Sequence, residues 1–275
     1  MSTPLTVSFE VFPPKTTDGL AQLRETAERL RAADPTFVSV TYGAGGTDRD
    51  RSFQAIDAVL AADVEVAAHL TCVGQSVDDV DSVIARYEQL GVSRIVALRG
   101  DPPAGVDAPY APHPDGYLRT ADLVAAVAGR FDVSVSAYPE RHPQSPSLDH
   151  DLEVLADKVA AGATHAVTQM FFDNELFLPY RDAVAARRLD VTLVPGIFPI
   201  HSFEAVSRFA ARCGASMPAW IGERFAEVAG DPTASHEHAA DLAAVQIADH
   251  AHAGDNHVHV YTLNRPELAL AVCER

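Results

Sequence analysis

The chain has 275 residues, enough for one large α/β barrel or two small domains. Hydrophobic residues make up 47% and charged residues 21%, which supports a sizeable core and excludes general disorder. A formal net charge of −17 argues against a nucleic-acid-binding surface, so any anionic ligand must rely on a few local cations and backbone dipoles.

Short β-branched runs alternate with longer helical patterns along the whole chain. Strands are expected at residues 6–12, 37–42, 64–72, 94–99, 133–138, 166–172, 191–198 and 257–263. Val77, Val80, Ile84 and Tyr87 share one helical face, with Ser76 as amino cap and Gly91 as stop. Leu148, Leu152, Leu155 and Val159 repeat the pattern up to Gly162, and Asp173 and Ser202 are candidate caps for two later helices. The longest loop, 101–118, contains Pro102, Pro103, Pro109, Pro112 and Pro114 and would follow the fourth strand. Residues 202–253 are too many for one crossover helix, so an added helix is expected near 219–228.

Eight strand–helix repeats without a composition break point to a (β/α)8 TIM barrel, one domain over residues 1–275 with extra helices in the C-terminal third. A doubly wound open sheet is the alternative, weakened because no strand leads into a GxGxxG turn. Cys72, Cys213 and Cys273 make no disulfide framework, and neither a signal peptide nor an apolar run of about 20 residues is evident. The expectation is a cytoplasmic protein without a membrane partner.

Alternation within the strands sorts the side chains. Val7, Phe9 and Val11 oppose Ser8, Glu10 and Phe12; Val38 and Val40 oppose Ser39 and Thr41. Ala68 and Leu70 oppose His69 and Thr71, and Val133 and Val135 oppose Ser134, Ser136 and Tyr138. The apolar phase should face the helices, so Glu10, Thr41, His69, Tyr138 and Tyr261 would converge inside the barrel top. A slip of one residue would reverse this.

Glu10, within SFEVFPP, is either a solvent-facing strand residue or a lumen carboxyl group whose burial raises its pKa and suits it to general acid work. Arg99-Gly100-Asp101 is either an ordinary strand-to-loop cluster or a buried charge pair beside a glycine that admits a ligand. Three His-x-His pairs, His236/His238, His250/His252 and His257/His259, raise a metal site as an alternative. It is disfavoured: the first two pairs fall in helix or loop, where i and i+2 diverge, and no further ligands complete a site. No metal is expected.

SFEVFPPK at 8–15, FVSVTYGAGGTDRDRS at 37–52, AAHLTC at 67–72 and IVALRGDPP at 95–103 occur in that order. SAYPERHP at 136–143, DKVAAGATHAVTQMFFD at 157–173, VPGIFPI at 194–200 and YTLNR at 261–265 follow. Together they resemble the methylenetetrahydrofolate reductases over nearly the whole chain. The resemblance implies a (β/α)8 barrel that reduces 5,10-methylenetetrahydrofolate to 5-methyltetrahydrofolate with FAD and NADH or NADPH, by ping-pong hydride transfer. It favours NADH, and it implies Glu10 as general acid and Asp101 beside flavin and pterin. The matching FAD positions are Tyr42, Ala44, His69, Arg99, Gly100, Asp101, Tyr138, His142, Asp151 and Lys158, and Thr41 matches a cofactor contact on the nicotinamide side. For the folate they are Asp101, Gln169, Glu223, Phe225, Tyr261 and Arg265, the last holding the glutamate tail. A homo-oligomer without a carboxyl-terminal regulatory domain is also implied. Departures stand out: Asp157 replaces a basic residue of some relatives, Arg119 and Thr120 an aromatic–alanine pair, and Glu223 a frequent glutamine. The alternative they leave open is the same reduction without flavin, by direct hydride transfer from NADH.

Overall fold

A computed structural model describes residues 5–43, 46–102 and 108–275. Among them nine parallel strands form one sheet: β1 (Thr6–Val11), β2 (Val38–Val40), β3 (Val66–Thr71), β4 (Arg94–Leu98), β5 (Asp132–Ala137), β6 (His165–Thr168), β7 (Thr192–Val194), β8 (Gly196–Ile197) and β9 (His257–Tyr261). Their order is β7-β6-β5-β4-β3-β2-β1-β9-β8. The two ends of this sheet, β7 and β8, are separated in the chain by Pro195 alone, so the sheet closes on itself with eight strand positions. Proline has no N–H for the ladder, which explains the break. Its carbonyl still accepts from the His259 N–H at 2.9 Å.

The expected strand at 191–198 is therefore split, and the one at 166–172 stops at Thr168. Beyond it Met170, Phe171 and Phe172 are buried without ladder bonds. An apolar run looks the same in a strand and in a packed loop.

The outer layer holds α1 (Thr17–Leu30), α2 (Gly46–Leu60), α3 (Val77–Leu90), α4 (Thr120–Val127), α5 (Leu148–Ala160) and α6 (Asn174–Ala186). It continues with α7 (Phe203–Cys213), α8 (Ala219–Glu227), α9 (Pro232–His252) and α10 (Pro266–Cys273). Ser76 caps α3 by accepting from the Asp79 N–H at 3.1 Å, and Gly91 closes it with φ 77°. Asp173 caps α6 through the Glu175 N–H at 2.9 Å, whereas Ser202 stands at the start of α7 without a side-chain capping bond. The added helix is α8.

Phe9, Val11, Val38, Val40, Ala68 and Leu70 belong to the main core with helix residues such as Leu23 and Ile56. The other phase meets across the interior. Ser39 of β2 reaches His259 of β9, and Glu10 of β1 faces His69 of β3, pairs that each skip a strand. Only a lumen permits such contacts. Phe37, Ala67 and Val96 form a small separate plug there.

Candidate active site

Glu10 is the last but one residue of β1, and its carboxylate lies in the lumen. His69 Nε2 is 3.4 Å from Glu10 Oε2 and His259 Nε2 is 3.9 Å from it. Burial raises the Glu10 pKa, but the two imidazoles of His259 and His69 beside the carboxylate outweigh it, so the net direction is down. This corrects the expectation from burial alone. The carboxyl group is inside as expected, yet its neighbours favour the ionised form. Burial drives the His69 pKa below the ordinary imidazole value, against the pull of Glu10.

The strand end carrying Glu10 is clamped by the YTLNR segment. Thr262 Oγ1 donates to the Glu10 carbonyl at 2.7 Å. Asn264 accepts from the Phe12 N–H and donates to the Phe12 carbonyl, both at 2.9 Å. Leu263 and Asn264 take left-handed backbone angles, φ 50° and 55°, to make this turn.

A second group follows β4 and β5. Arg99 donates to Gln144 Oε1 at 2.7 Å and lies over the Tyr110 ring, 4.6 Å from its centre. Asp101 is exposed, and its charge acts on Tyr138, His142 and Cys213. The Tyr138 and His142 rings meet edge to face at 4.8 Å, and the His142 N–H donates to Asp151 Oδ2 at 3.0 Å. Lys158 is buried and donates to the Ser136 carbonyl at 3.0 Å. Burial brings its pKa down to about 8, against the pull of Asp151. Gly100 has φ +82°, and a Cβ there would lie 2.4 Å from Val73 Cγ1. Its own chain therefore already requires glycine at this position.

Thr41 and Tyr42 follow β2, and the Tyr42 hydroxyl donates to Gln75 Oε1 at 2.8 Å. Arg49 donates to the same oxygen at 3.2 Å. Ala44 lies outside the described residues. Around this side three buried polar atoms lack hydrogen-bond partners: His69 Nε2, Thr71 Oγ1 and Arg49 Nε. His69 Nε2 is within ion-pair range of Glu10 but is not aligned for a hydrogen bond. Such groups are rare in a finished interior and mark where a polar ligand completes the bonding. With Lys158 and Arg99 nearby in the fold, the residues present fit a dinucleotide that carries charged phosphates and a polar ring.

Gln169 and Tyr138 line one depression together with Met170 and Cys213. Tyr261 and Arg265 line another with Pro199 and His201. The Tyr261 hydroxyl donates across the interior to the Thr168 carbonyl at 2.7 Å. Glu223 is exposed on α8. Phe225 is buried, its ring 5.9 Å from Phe203 and 5.0 Å from His238. It packs between helices in the main core.

The departures from the family pattern meet each other. Arg119, at the start of α4, lies 3.3 Å from Asp157 and 2.9 Å from Asp122, and Thr120 is buried behind it. Among the described residues no three His, Cys, Asp or Glu side chains are grouped to hold a metal. Sequence reasoning missed the clamp residues Thr262 and Asn264 and the lumen partners His259 and Ser8. Their signal was present: His257, His259 and Tyr261 share one phase of β9, the phase of Glu10 in β1.

The family profile described as methylenetetrahydrofolate reductase matches residues 2–275. A 5,10-methylenetetrahydrofolate reductase of Pectobacterium carotovorum is 39% identical over 98% of this chain and 89% of its own length. The enzyme of that name from Escherichia coli K12 is 37% identical over 98% and 90%. Among solved structures, an uncharacterized protein from Clostridium thermocellum, described as binding two copies of 5-methyl-5,6,7,8-tetrahydrofolic acid, superposes with a TM-score of 0.66 at 13% identity. It covers 98% of this chain and 95% of that one, and the likeness is one of fold. The chain belongs to the methylenetetrahydrofolate reductase family, oxidoreductases that reduce 5,10-methylenetetrahydrofolate to 5-methyltetrahydrofolate.

Proposed function

We propose that this chain carries out the reduction with FAD as intermediate carrier and NADH as donor, and that Glu10 gives the proton. The observation behind the proposal is a lumen carboxyl group at a strand end, flanked by two imidazoles. A proton delivered to the folate opens its five-membered ring to an iminium carbon, which then accepts hydride. Bound FAD supplies the two-electron carrier between nicotinamide and that carbon.

The free protein holds Glu10 toward its ionised form. A folate ring over the barrel mouth removes water from the carboxyl group and strengthens the burial effect, which favours the protonated acid. His69 Nε2 and His259 Nε2 both face the Glu10 carboxylate, at 3.4 Å and 3.9 Å. Lys158 and Arg99 offset the phosphate charge of the cofactor, a local answer to a chain of net charge −17. Tyr42, His69, Tyr138, His142 and Asp151 complete that side, with Asp101 and Gln169 between cofactor and pterin. Arg265 holds the anionic tail of the folate. The same barrel scaffold carries a 5-methyl folate in the Clostridium thermocellum protein.

Anaerobic stopped-flow spectroscopy tests the reading. The purified protein should show a flavin band that NADH bleaches and methylenetetrahydrofolate restores, with 5-methyltetrahydrofolate as product. A colourless protein that passes hydride directly from NADH to the folate would remove the flavin from the scheme.

A further inference from the structure

Below Glu10 the lumen holds a polar column built alternately from β1 and β9. The register pairs Thr6 with His257, Ser8 with His259 and Glu10 with Tyr261. Ser8 Oγ is 2.7 Å from His259 Nδ1 and 2.8 Å from His257 Nε2. His257 Nδ1 is 3.2 Å from Thr6 Oγ1, and His259 Nε2 faces Glu10 Oε2 at 3.9 Å. Ser8 and His259 are buried, whereas Thr6 is exposed at the amino-terminal mouth. Glu10 lies four residue steps along β1 from Thr6, about 13 Å along the axis. The Phe37 ring packs 5.9 Å from both imidazoles and shields the column on one side.

We propose that this column is a proton wire that recharges Glu10 from solvent at the mouth opposite the folate. The inference rests on the reading of Glu10 as the acid. The reaction consumes one proton with each hydride, and a bound folate closes the upper mouth to water. Transfer is a relay of equal exchanges. A water or Thr6 proton joins His257 Nδ1 while the His257 Nε2 proton passes to Ser8. The Ser8 proton passes to His259 Nδ1, and the His259 Nε2 proton passes to the Glu10 carboxylate across the 3.9 Å gap, bridged by one water or closed by a turn of the carboxyl group. One proton enters, one arrives, and no other bond changes. Neutral imidazole suits the role because one nitrogen donates while the other accepts. Burial, with the nearby charges of His259, His165 and Arg94, holds the His257 pKa down to about 4, so its ring is neutral at pH 7. Glu10 and His69 are the titratable groups facing His259 from β1 and β3; Ser39 reaches His259 at 3.5 Å as a side branch.

Ser8 Oγ carries one hydrogen and can donate to only one ring. An intact wire therefore requires both histidines in the same tautomer, both Nε2–H when charged or both Nδ1–H after delivery. Nitrogen-15 NMR of histidine-labelled holoenzyme should find matched tautomers; one of each kind overturns the wire. Kinetics give the second test. Ser8→Ala pre-equilibrated with folate should complete its first turnover normally, because Glu10 has had time to take up a proton as the folate binds, and should slow later turnovers about 10-fold. Those later turnovers should also show a larger solvent isotope effect. Nicotinamide oxidation and the Ser39→Ala protein should be unaffected. Equal first and later rates in Ser8→Ala overturn the wire while leaving the acid in place. A Glu10→Gln protein that still completes its first folate turnover removes the acid itself. If Ser8→Ala fails to fold, the tautomers decide.

Discussion

Lys158 carries its charge at a cost. Burial lowers its pKa to about 8, so the amine is mostly protonated at neutral pH and loses its proton just above it. Flavin retention should therefore weaken as pH rises through about 8, read as the flavin-to-protein ratio after dialysis. Lys158→Met should weaken retention already at pH 7, by roughly 10- to 100-fold, the value of one charged hydrogen bond. Full flavin occupancy in that variant would take Lys158 out of the cofactor site. Arg119 and Asp157 illustrate a residue-scale limit of sequence comparison. Each looks like a loss when matched alone against the family pattern, but they face each other at 3.3 Å, and one dimension does not reveal a pair 38 residues apart. Phe225 was legible in another way: its spacing from Ile221 places both on the buried face of α8.

The end of β4 is the element that positions Arg99, a cation of the proposed cofactor site. Gly100 turns the chain with a left-handed φ of +82°, and a Cβ would collide with Val73 and Thr71. Gly100→Ala should destabilise the fold by about 2 kcal/mol, visible in denaturant unfolding, and move Arg99 off Gln144. Wild-type stability in that variant would show that the loop absorbs the change. Strand phase was legible throughout, because a period of two repeated in several strands leaves little freedom once one face is apolar. Strand ends were not. Pro195 breaks the seventh strand position inside a run that reads as continuous, and Met170, Phe171 and Phe172 extend a hydrophobic pattern past the last ladder bond. The His-x-His pair of β9 looked like a metal motif, and only the pairing with β1 reveals it as the partner of Ser8 and Glu10.

At the scale of the whole molecule, the barrel encloses a polar lumen, and acid stability should reveal it. Between pH about 4 and the ordinary value 6.5 the unfolded chain binds a proton that folded His257 refuses. Stability from this group is therefore full above 6.5 and is lost as pH falls toward 4. Unfolding measured across that window should show the slope, and His257→Gln should reduce it; a flat profile would contradict a neutral, half-buried ring. The (β/α)8 architecture was legible in the repeat alone, as was the gathering of Glu10 and His69 inside it. The protonation balance at Glu10 was not, since it depends on which imidazoles stand beside the carboxyl group, and folding decides that. The most direct measurement compares wild type and Glu10→Gln in the two separate half-reactions under anaerobic conditions. The account predicts normal reduction of the flavin by NADH and a loss of about 10²- to 10⁴-fold in reoxidation by methylenetetrahydrofolate. Reoxidation at the wild-type rate would contradict it.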